Sequence, residues 1–155
     1  MYNILFVCHG NICRSVMAEM IMRQMLSQAG LEDNVTVDSC ATSTEEIGNG
    51  IYPPARRCLQ AHGVPVSSHA ARQITRQDYA HFDLILCMEE YNIRNLHRVL
   101  GNEIMQADAA LPQPKIRRLL TRDVVDPWYT GDFETAYRDV TEGCGDILQQ
   151  IEVFS

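Results

Sequence analysis

The spacing of apolar positions changes along this chain, and the changes mark its elements. Asn3-Ile4-Leu5-Phe6-Val7 is apolar at almost every position, which predicts a strand buried on both faces. Met17, Ile21, Met25 and Leu26 then fall near one side of a helix running from about Ser15 to Gln28 and ending before Gly30. Val35–Ala41 reads as a second strand, and residues 42–53, with Gly48, Gly50 and Pro53, read as a loop. Pro54 opens a helix to about His62, closed by Gly63. Thr75–His81 is a short helix, and Leu84–Met88, nearly all apolar, is a third strand buried on both faces. Glu89–Leu100 is a helix with acidic residues in its first turn, stopped at Gly101. Ile104–Gln106 is the candidate fourth strand. A long polar connection follows over 107–131, interrupted by Pro112, Pro114 and Pro127. The final helix begins around Asp132. Phe133, Tyr137, Val140, Cys144, Ile147, Leu148, Ile151 and Phe154 recur at helical period, with Gly143 and Gly145 weakening it.

Strands alternating with helices predict an α/β fold. The expectation is a single domain over residues 1–155, with a central four-stranded parallel sheet flanked by helices on both faces in the doubly wound, flavodoxin-like manner. Ligands of such sheets bind at the carboxyl ends of the strands, which directs attention to the residues after Val7. The length of 155 residues and 46% hydrophobic content suit one substantial core. The four methionines of the first helix read as adaptable core filling.

A net charge of −7 argues against a nucleic-acid surface. No apolar stretch approaches the roughly 20 residues that span a membrane, and Met1-Tyr2-Asn3 lacks the basic start of an export signal. A cytoplasmic protein with neither nucleic-acid nor membrane partners is expected. The six cysteines are scattered at 8, 13, 40, 58, 87 and 144, which suits free thiols in a reducing compartment. Cys8 and Cys13 have four residues between them and no Cys-x2-Cys pair accompanies them, so neither metal nor cofactor is expected.

The chemistry concentrates in Val7-Cys8-His9-Gly10-Asn11-Ile12-Cys13-Arg14-Ser15. The composition alone would produce about half a Cys-x5-Arg match by chance, so the spacing is weak evidence and the setting is what matters. The segment joins a strand to a helix, where successive N–H groups and the helix dipole point at one place and favour an oxyanion. Gly10 is available for the unusual backbone angles of a phosphate cradle, and Ser15 stands at the helix start. Cysteines at helix N-termini beside an arginine ionise readily, and the Ser15 hydroxyl is placed to add a hydrogen bond to a Cys8 thiolate. Arg14 offers a planar fork for two phosphoryl oxygens. A departing alkoxide or phenoxide needs a proton donor. The candidate is Asp126 in Val125-Asp126-Pro127-Trp128-Tyr129, within a connection able to fold over the site. An Asp-Pro pair on its own also makes a plain turn. Trp128 and Tyr129 beside it would wall an aromatic leaving group.

These residues resemble the low-molecular-weight protein tyrosine phosphatases over nearly the whole chain. The signature Val-Cys-x-Gly-Asn-x-Cys-Arg-Ser is matched at every defined position by Val7–Ser15, and the Asp-Pro acid motif by Asp126-Pro127. Weaker matches are Val37-Asp38-Ser39, Glu46-Ile47-Gly48-Asn49, His69 with Ala71-Arg72-Gln73-Ile74, Phe82-Asp83, Ile85-Leu86-Cys87-Met88 and Asp132-Phe133-Glu134-Thr135. The resemblance implies metal-independent hydrolysis of phosphotyrosine in protein substrates, and of small aryl phosphates, in two steps. Cys8 attacks phosphorus while Asp126 protonates the leaving oxygen, and Asp126 then activates water against the cysteinyl-phosphate. It implies that His9, Gly10, Asn11, Ile12, Cys13 and Ser15 line the phosphate site with Trp128 and Tyr129, and that Asn11, Ser39 and His69 hold the loop in shape. His69 is equally compatible with a core histidine. Cys13 resembles the family's second loop cysteine, which traps an oxidised nucleophile as a disulfide; a buried spectator thiol is the alternative.

Val16 replaces the usual proline after Arg-Ser, a small loss. Glu45 stands where many relatives place an aromatic at the pocket rim, and a carboxylate there would repel acidic peptides. Trp128 replaces a common tyrosine and preserves the wall. Arginine phosphatases resemble this fold but carry threonine where Ile12 stands. Arsenate reductases of the fold need two further closely spaced cysteines, and none but Cys87 occurs between 59 and 143. Loss of Cys8, Arg14 or Asp126 would suggest a non-catalytic phosphate-binding domain, and all three are present. A monomer acting on phosphotyrosine proteins, with phosphate or another oxyanion held by residues 8–15, is the resulting expectation.

Overall fold

In the computed structural model residues 1–154 are described, with the backbone alone for Val153 and Phe154. The packing expected of the Phe154 side chain therefore lies outside the described residues. Four parallel strands lie in the order β2-β1-β3-β4: β1 is Tyr2–Cys8, β2 Val35–Ala41, β3 Leu84–Cys87 and β4 Ile116–Arg118. Among the described residues the helices are α1 Arg14–Gln28, α2 Pro53–Ala61, α3 Arg76–His81, α4 Glu90–Leu100, α5 Asn102–Ala109, α6 Pro127–Thr130 and α7 Phe133–Phe154.

The continuous apolar run of β1 follows from its central place. Ile4, Phe6 and Cys8 face a core shared with Met17 and Ile21 of α1, Leu59 of α2 and Val140 of α7. Leu5 and Val7 face the opposite core with Leu96 and Leu100 of α4 and Met105 of α5. The chain leaves β1 toward β2 on one side and returns to β3 on the other, so the carboxyl ends of β1 and β3 frame the crevice where such sheets bind ligands. Cys8 is the last residue of β1.

The expected fourth strand is corrected. Ile104–Gln106 lies inside α5, and the fourth strand is Ile116–Arg118, paired to β3 through Ile85 and Ile116. The physical reason is that an edge strand here needs one buried side chain, Ile116, between polar neighbours, which leaves no apolar pattern to read. Buried Asp108 of α5 fixes this edge: its carboxylate accepts from the backbone N–H groups of Lys115 (3.0 Å) and Ile116 (3.2 Å) and from the Tyr79 hydroxyl (2.8 Å).

Two expectations about α1 also change. The helix begins at Arg14, with no side-chain cap, and Ser15 turns inward rather than capping. Its first turns are buried on all sides, Arg14, Ser15 and Glu19 included, instead of showing one apolar stripe. No helix among the described residues is long and apolar enough to cross a membrane.

The glycines that weakened the final helix separate into two kinds. A Cβ on Gly143 would stand 2.3, 2.7 and 2.8 Å from the Cγ, Cδ1 and Cδ2 of Leu119, so α7 passes the residue after β4 at a distance only glycine allows. A Cβ on Gly145 would meet open space. Gly143→Ala is therefore expected to destabilise by about 1–3 kcal/mol through overpacking. Gly145→Ala is expected to stabilise by about 0.5–1 kcal/mol through helix propensity. Urea midpoints of the two variants, moving in opposite directions, are the check.

Candidate active site

The segment after β1 turns its carbonyls outward. The Cys8 carbonyl accepts from Thr42 N–H (2.9 Å), that of His9 from Ser43 N–H (3.1 Å), and that of Ile12 from Tyr52 N–H (2.9 Å). The Asn11 carbonyl accepts from His69 Nε2 (2.7 Å), which assigns that ring nitrogen its proton. The N–H groups of Gly10, Ile12, Cys13 and Arg14 have no acceptor among the described residues. A loop with its carbonyls engaged behind it and its N–H groups in front is an anion cradle. The cleft it floors is lined by residues 8–14 together with Glu45, Glu46, Asp126, Trp128 and Tyr129.

The unusual backbone angle belongs to Asn11, at φ 62°, and not to Gly10 as expected. Asn11 tolerates that region better than most residues. A Cβ at position 10 would sit 3.4 Å from the Glu46 side chain, an ordinary contact, so neither torsion nor packing within the chain requires glycine there.

Asn11 also organises the polar groups beneath the cradle. Its N–H points to Cys8 Sγ (3.3 Å), and its side-chain amide donates to Ser15 Oγ (2.8 Å) and Ser39 Oγ (2.9 Å). Ser15 Oγ lies 3.0 Å from Cys8 Sγ. Because Ser15 already accepts from Asn11, its own hydrogen is free for the sulfur. Ser39 passes its hydrogen to Glu19 Oε1 (2.6 Å), and Glu19 pairs with Arg23 (2.7 Å). Burial pushes the Glu19 carboxyl above its ordinary range, against the pull of Ser39 and Arg23.

Arg14 is 1% exposed, an unusual place for a guanidinium. Its Nη1 donates to the Val124 carbonyl (2.8 Å), and its Nη2 to Glu89 Oε1 (3.1 Å) and Asp126 Oδ2 (3.2 Å). Burial opposes its charge, but Cys8, Asp126 and Glu89 outweigh burial and raise it, so it stays cationic. Asp126 caps α6, accepting from Trp128 N–H (3.0 Å), and so faces Arg14 by a local turn. For Cys13, burial first and then the charges of Cys8 and Asp126 push the thiol well up.

The expected aromatic wall is built from more than the two residues read in sequence. Trp128 is half-exposed and packs on Tyr52 (centroids 4.7 Å apart), which in turn packs on Phe133 (6.0 Å). Tyr129 stands out from the surface. On the opposite rim Glu45 Oε2 meets His9 Nε2 at 2.9 Å. The residues expected to line, clamp or support the site are brought together, except that Ser15 lies buried beneath the floor and not in the lining. Glu19, Tyr52, Arg72 and Glu89 were missed. Glu89 was visible as an acid in the first turn after a buried strand, and Glu19 as a charge inside an apolar helix.

The family model for low molecular weight phosphotyrosine protein phosphatase matches residues 3–153. A protein of that description from Pongo abelii is 43% identical, over 96% of this chain and 94% of its own. The crystal structure of YfkJ from Bacillus subtilis is similar with a TM-score of 0.90 and 34% identity, covering all of this chain and 97% of its own. The crystal structure of DARP, a drosophila arginine phosphatase, is similar with a TM-score of 0.80 and 30% identity, covering 96% of both chains.

Arg72 links the cradle to the fold beyond it. Its N–H donates to Asn11 Oδ1 (3.2 Å), and its guanidinium holds Asp38 (2.9 Å) and Asp78 (2.8 Å). Burial resists the charge of Asp78, but the Arg72 and Thr75 hydrogen bonds overcome it and hold the carboxyl below its ordinary value of 3.8. A carboxyl lowered by folding stabilises above its unfolded value and loses that contribution as pH falls through its folded one. Asp78→Asn should therefore cost about 1 kcal/mol at neutral pH. In urea unfolding at several pH values, the gap from the unsubstituted protein should close below pH 3.8.

Proposed function

The chain belongs to the low molecular weight phosphotyrosine protein phosphatase family, and from that premise we propose that it hydrolyses phosphotyrosine in proteins through a cysteinyl-phosphate on Cys8. The observation that carries this reading is the convergence of three groups from distant parts of the chain. Cys8 lies at the floor of the cradle, with Arg14 and Asp126 joined to each other at 3.2 Å beside it.

The dianion enters with its oxygens toward the free N–H groups, and Arg14 turns from Asp126 to the phosphoryl oxygens. The Cys8 thiolate attacks phosphorus: the S–P bond forms, the P–O bond to the tyrosyl ring breaks, and Asp126 gives its proton to the departing oxygen. In the second step Asp126 takes a proton from water, the new O–P bond forms and the S–P bond breaks. The Ser15 hydroxyl, donating to the sulfur, stabilises the thiolate in both its attacking and leaving roles. Glu89 and the Val124 carbonyl keep the guanidinium in plane throughout.

Ile12, with 8% of its surface exposed in the cleft, gives the ring an apolar contact that a phosphoguanidinium would not use. This favours tyrosine over arginine as the phosphate carrier. The Trp128 wall acts in the same sense.

Turnover of phosphotyrosine and of nitrophenyl phosphate tests the mechanism. Cys8→Ser should be inactive on both. Asp126→Ala should slow phosphotyrosine by about 10²–10³-fold and nitrophenyl phosphate much less, since nitrophenolate leaves without a proton. Activity surviving in Cys8→Ser, or equal slowing of both substrates by Asp126→Ala, overturns the assignment.

A redox role for Cys13 rests on the same cleft. Peroxide converts the Cys8 thiolate to the sulfenic acid; Cys13 then attacks that sulfur, forming the disulfide and releasing water. Because its thiol is pushed up, Cys13 should close the disulfide slowly. Peptide mass mapping after peroxide is expected to find Cys8 joined to Cys13, and recovery of overoxidised Cys8 alone counts against it.

A further inference from the structure

Cys58, His62 and Glu134 meet where the end of α2 lies against the first turn of α7. Cys58 and His62 are one helical turn apart, so both project from the same side. Cys58 Sγ is 3.6 Å from Glu134 Oε1, and His62 Nε2 is 2.7 Å from Glu134 Oε2. One carboxylate thus spans a thiol and an imidazole, and the three donor atoms lie within 4.8 Å of one another. The His62 ring is stacked on Tyr137, centroids 3.8 Å apart and planes at 9°, which fixes the ring and aims its Nε2 at the carboxylate. Arg138, one turn further along α7, donates to Thr135 Oγ1 instead of covering Glu134.

From this geometry we propose that Cys58, His62 and Glu134 form a site for a divalent transition metal, zinc being the best match, with water as the fourth ligand. The donor set carries the choice of ion: one sulfur, one imidazole nitrogen and one carboxylate oxygen suit zinc and exclude magnesium or calcium. Zinc bonds of about 2.0–2.3 Å in a tetrahedron place donor atoms about 3.3–3.6 Å apart. The separation of Cys58 Sγ from Glu134 Oε1 already has that value, while the imidazole faces the other carboxylate oxygen at 2.7 Å, so Glu134 turns and moves back slightly to offer one oxygen to an ion held by all three. On binding, the metal takes the place of the thiol proton, which leaves to solvent, and of the hydrogen that His62 Nε2 gives to Glu134, the neutral ring then carrying its proton on Nδ1. Cys58 is buried while Glu134 and His62 are open to water, so the ion would enter from the outer side and keep its water ligand there. Cys-x3-His at the end of α2, its histidine just past the last helical residue, with a glutamate 72 residues later, is not a spacing that stands out in sequence.

The site lies behind the aromatic wall. Phe133, next to Glu134, packs on Tyr52, and Tyr52 holds Trp128. A metal joining α2 to the start of α7 would stiffen the support of the acid-bearing segment.

Cobalt titration of the Cys8→Ser protein tests this, since the reactive thiol of the cleft is then absent. One equivalent of cobalt(II) should give a sulfur-to-cobalt charge-transfer band with tetrahedral visible bands, displaced by zinc. Adding Cys58→Ser should abolish the charge-transfer band. Glu134→Gln, at an exposed position that leaves the fold intact, should weaken cobalt binding by at least about tenfold, the loss seen even for outer partners of metal ligands. Absence of the band in Cys8→Ser, its survival in the Cys58→Ser double variant, or unchanged affinity in Glu134→Gln overturns the proposal.

Discussion

Five hydrogen bonds converge on Asn11, and the shape of the cleft depends on them. Its N–H meets Cys8, its amide reaches Ser15 and Ser39, its side-chain oxygen takes the Arg72 N–H, and its carbonyl takes His69. A residue at φ 62° stays there only when its surroundings determine the conformation. Turning this one peptide the other way would bring a carbonyl to the front of the cradle and replace attraction for an anion with repulsion. The partners come from β1, α1, β2 and the segment 69–72, so the cradle takes its shape where the sheet, its first helix and that segment meet.

Arg14 poses the second constraint. A guanidinium buried this deeply is tolerable only with partners for its donors and its charge. Glu89 arrives from beyond the end of β3 and Val124 and Asp126 from beyond β4, so β3 beside β1, with β4 on its far side, delivers the partners to the guanidinium. A sheet in another order would leave the charge buried and unpaired. The order of strands and the chemistry of the cleft therefore express one requirement.

The central strands, helices α1 to α4 and α7, and the loop 8–15 were legible because each concentrates its signal locally, whereas α5 and the short α6 were not. β1 is apolar from Ile4 onward and β3 throughout, and the Cys8–Arg14 segment keeps its meaning within seven residues. β4 was not legible, because an edge strand with one buried side chain carries no periodicity. Ile104 and Met105 imitated a strand while packing as a helix. Gly10 was credited with a torsion that Asn11 holds, since sequence shows which residues permit an angle and not which one needs it. Glu19, Tyr52, Arg72 and Glu89 acquire their roles only through contacts across the fold, and Gly143 through Leu119.

Trp128 is the one tryptophan of the chain. It is half in water, tilted against Tyr52, and two residues from Asp126. Its indole emission therefore depends on how the acid-bearing segment lies against the cleft. The protein carries its own optical gauge there, free of background from any other indole, so that movement of this segment is readable in solution without a label.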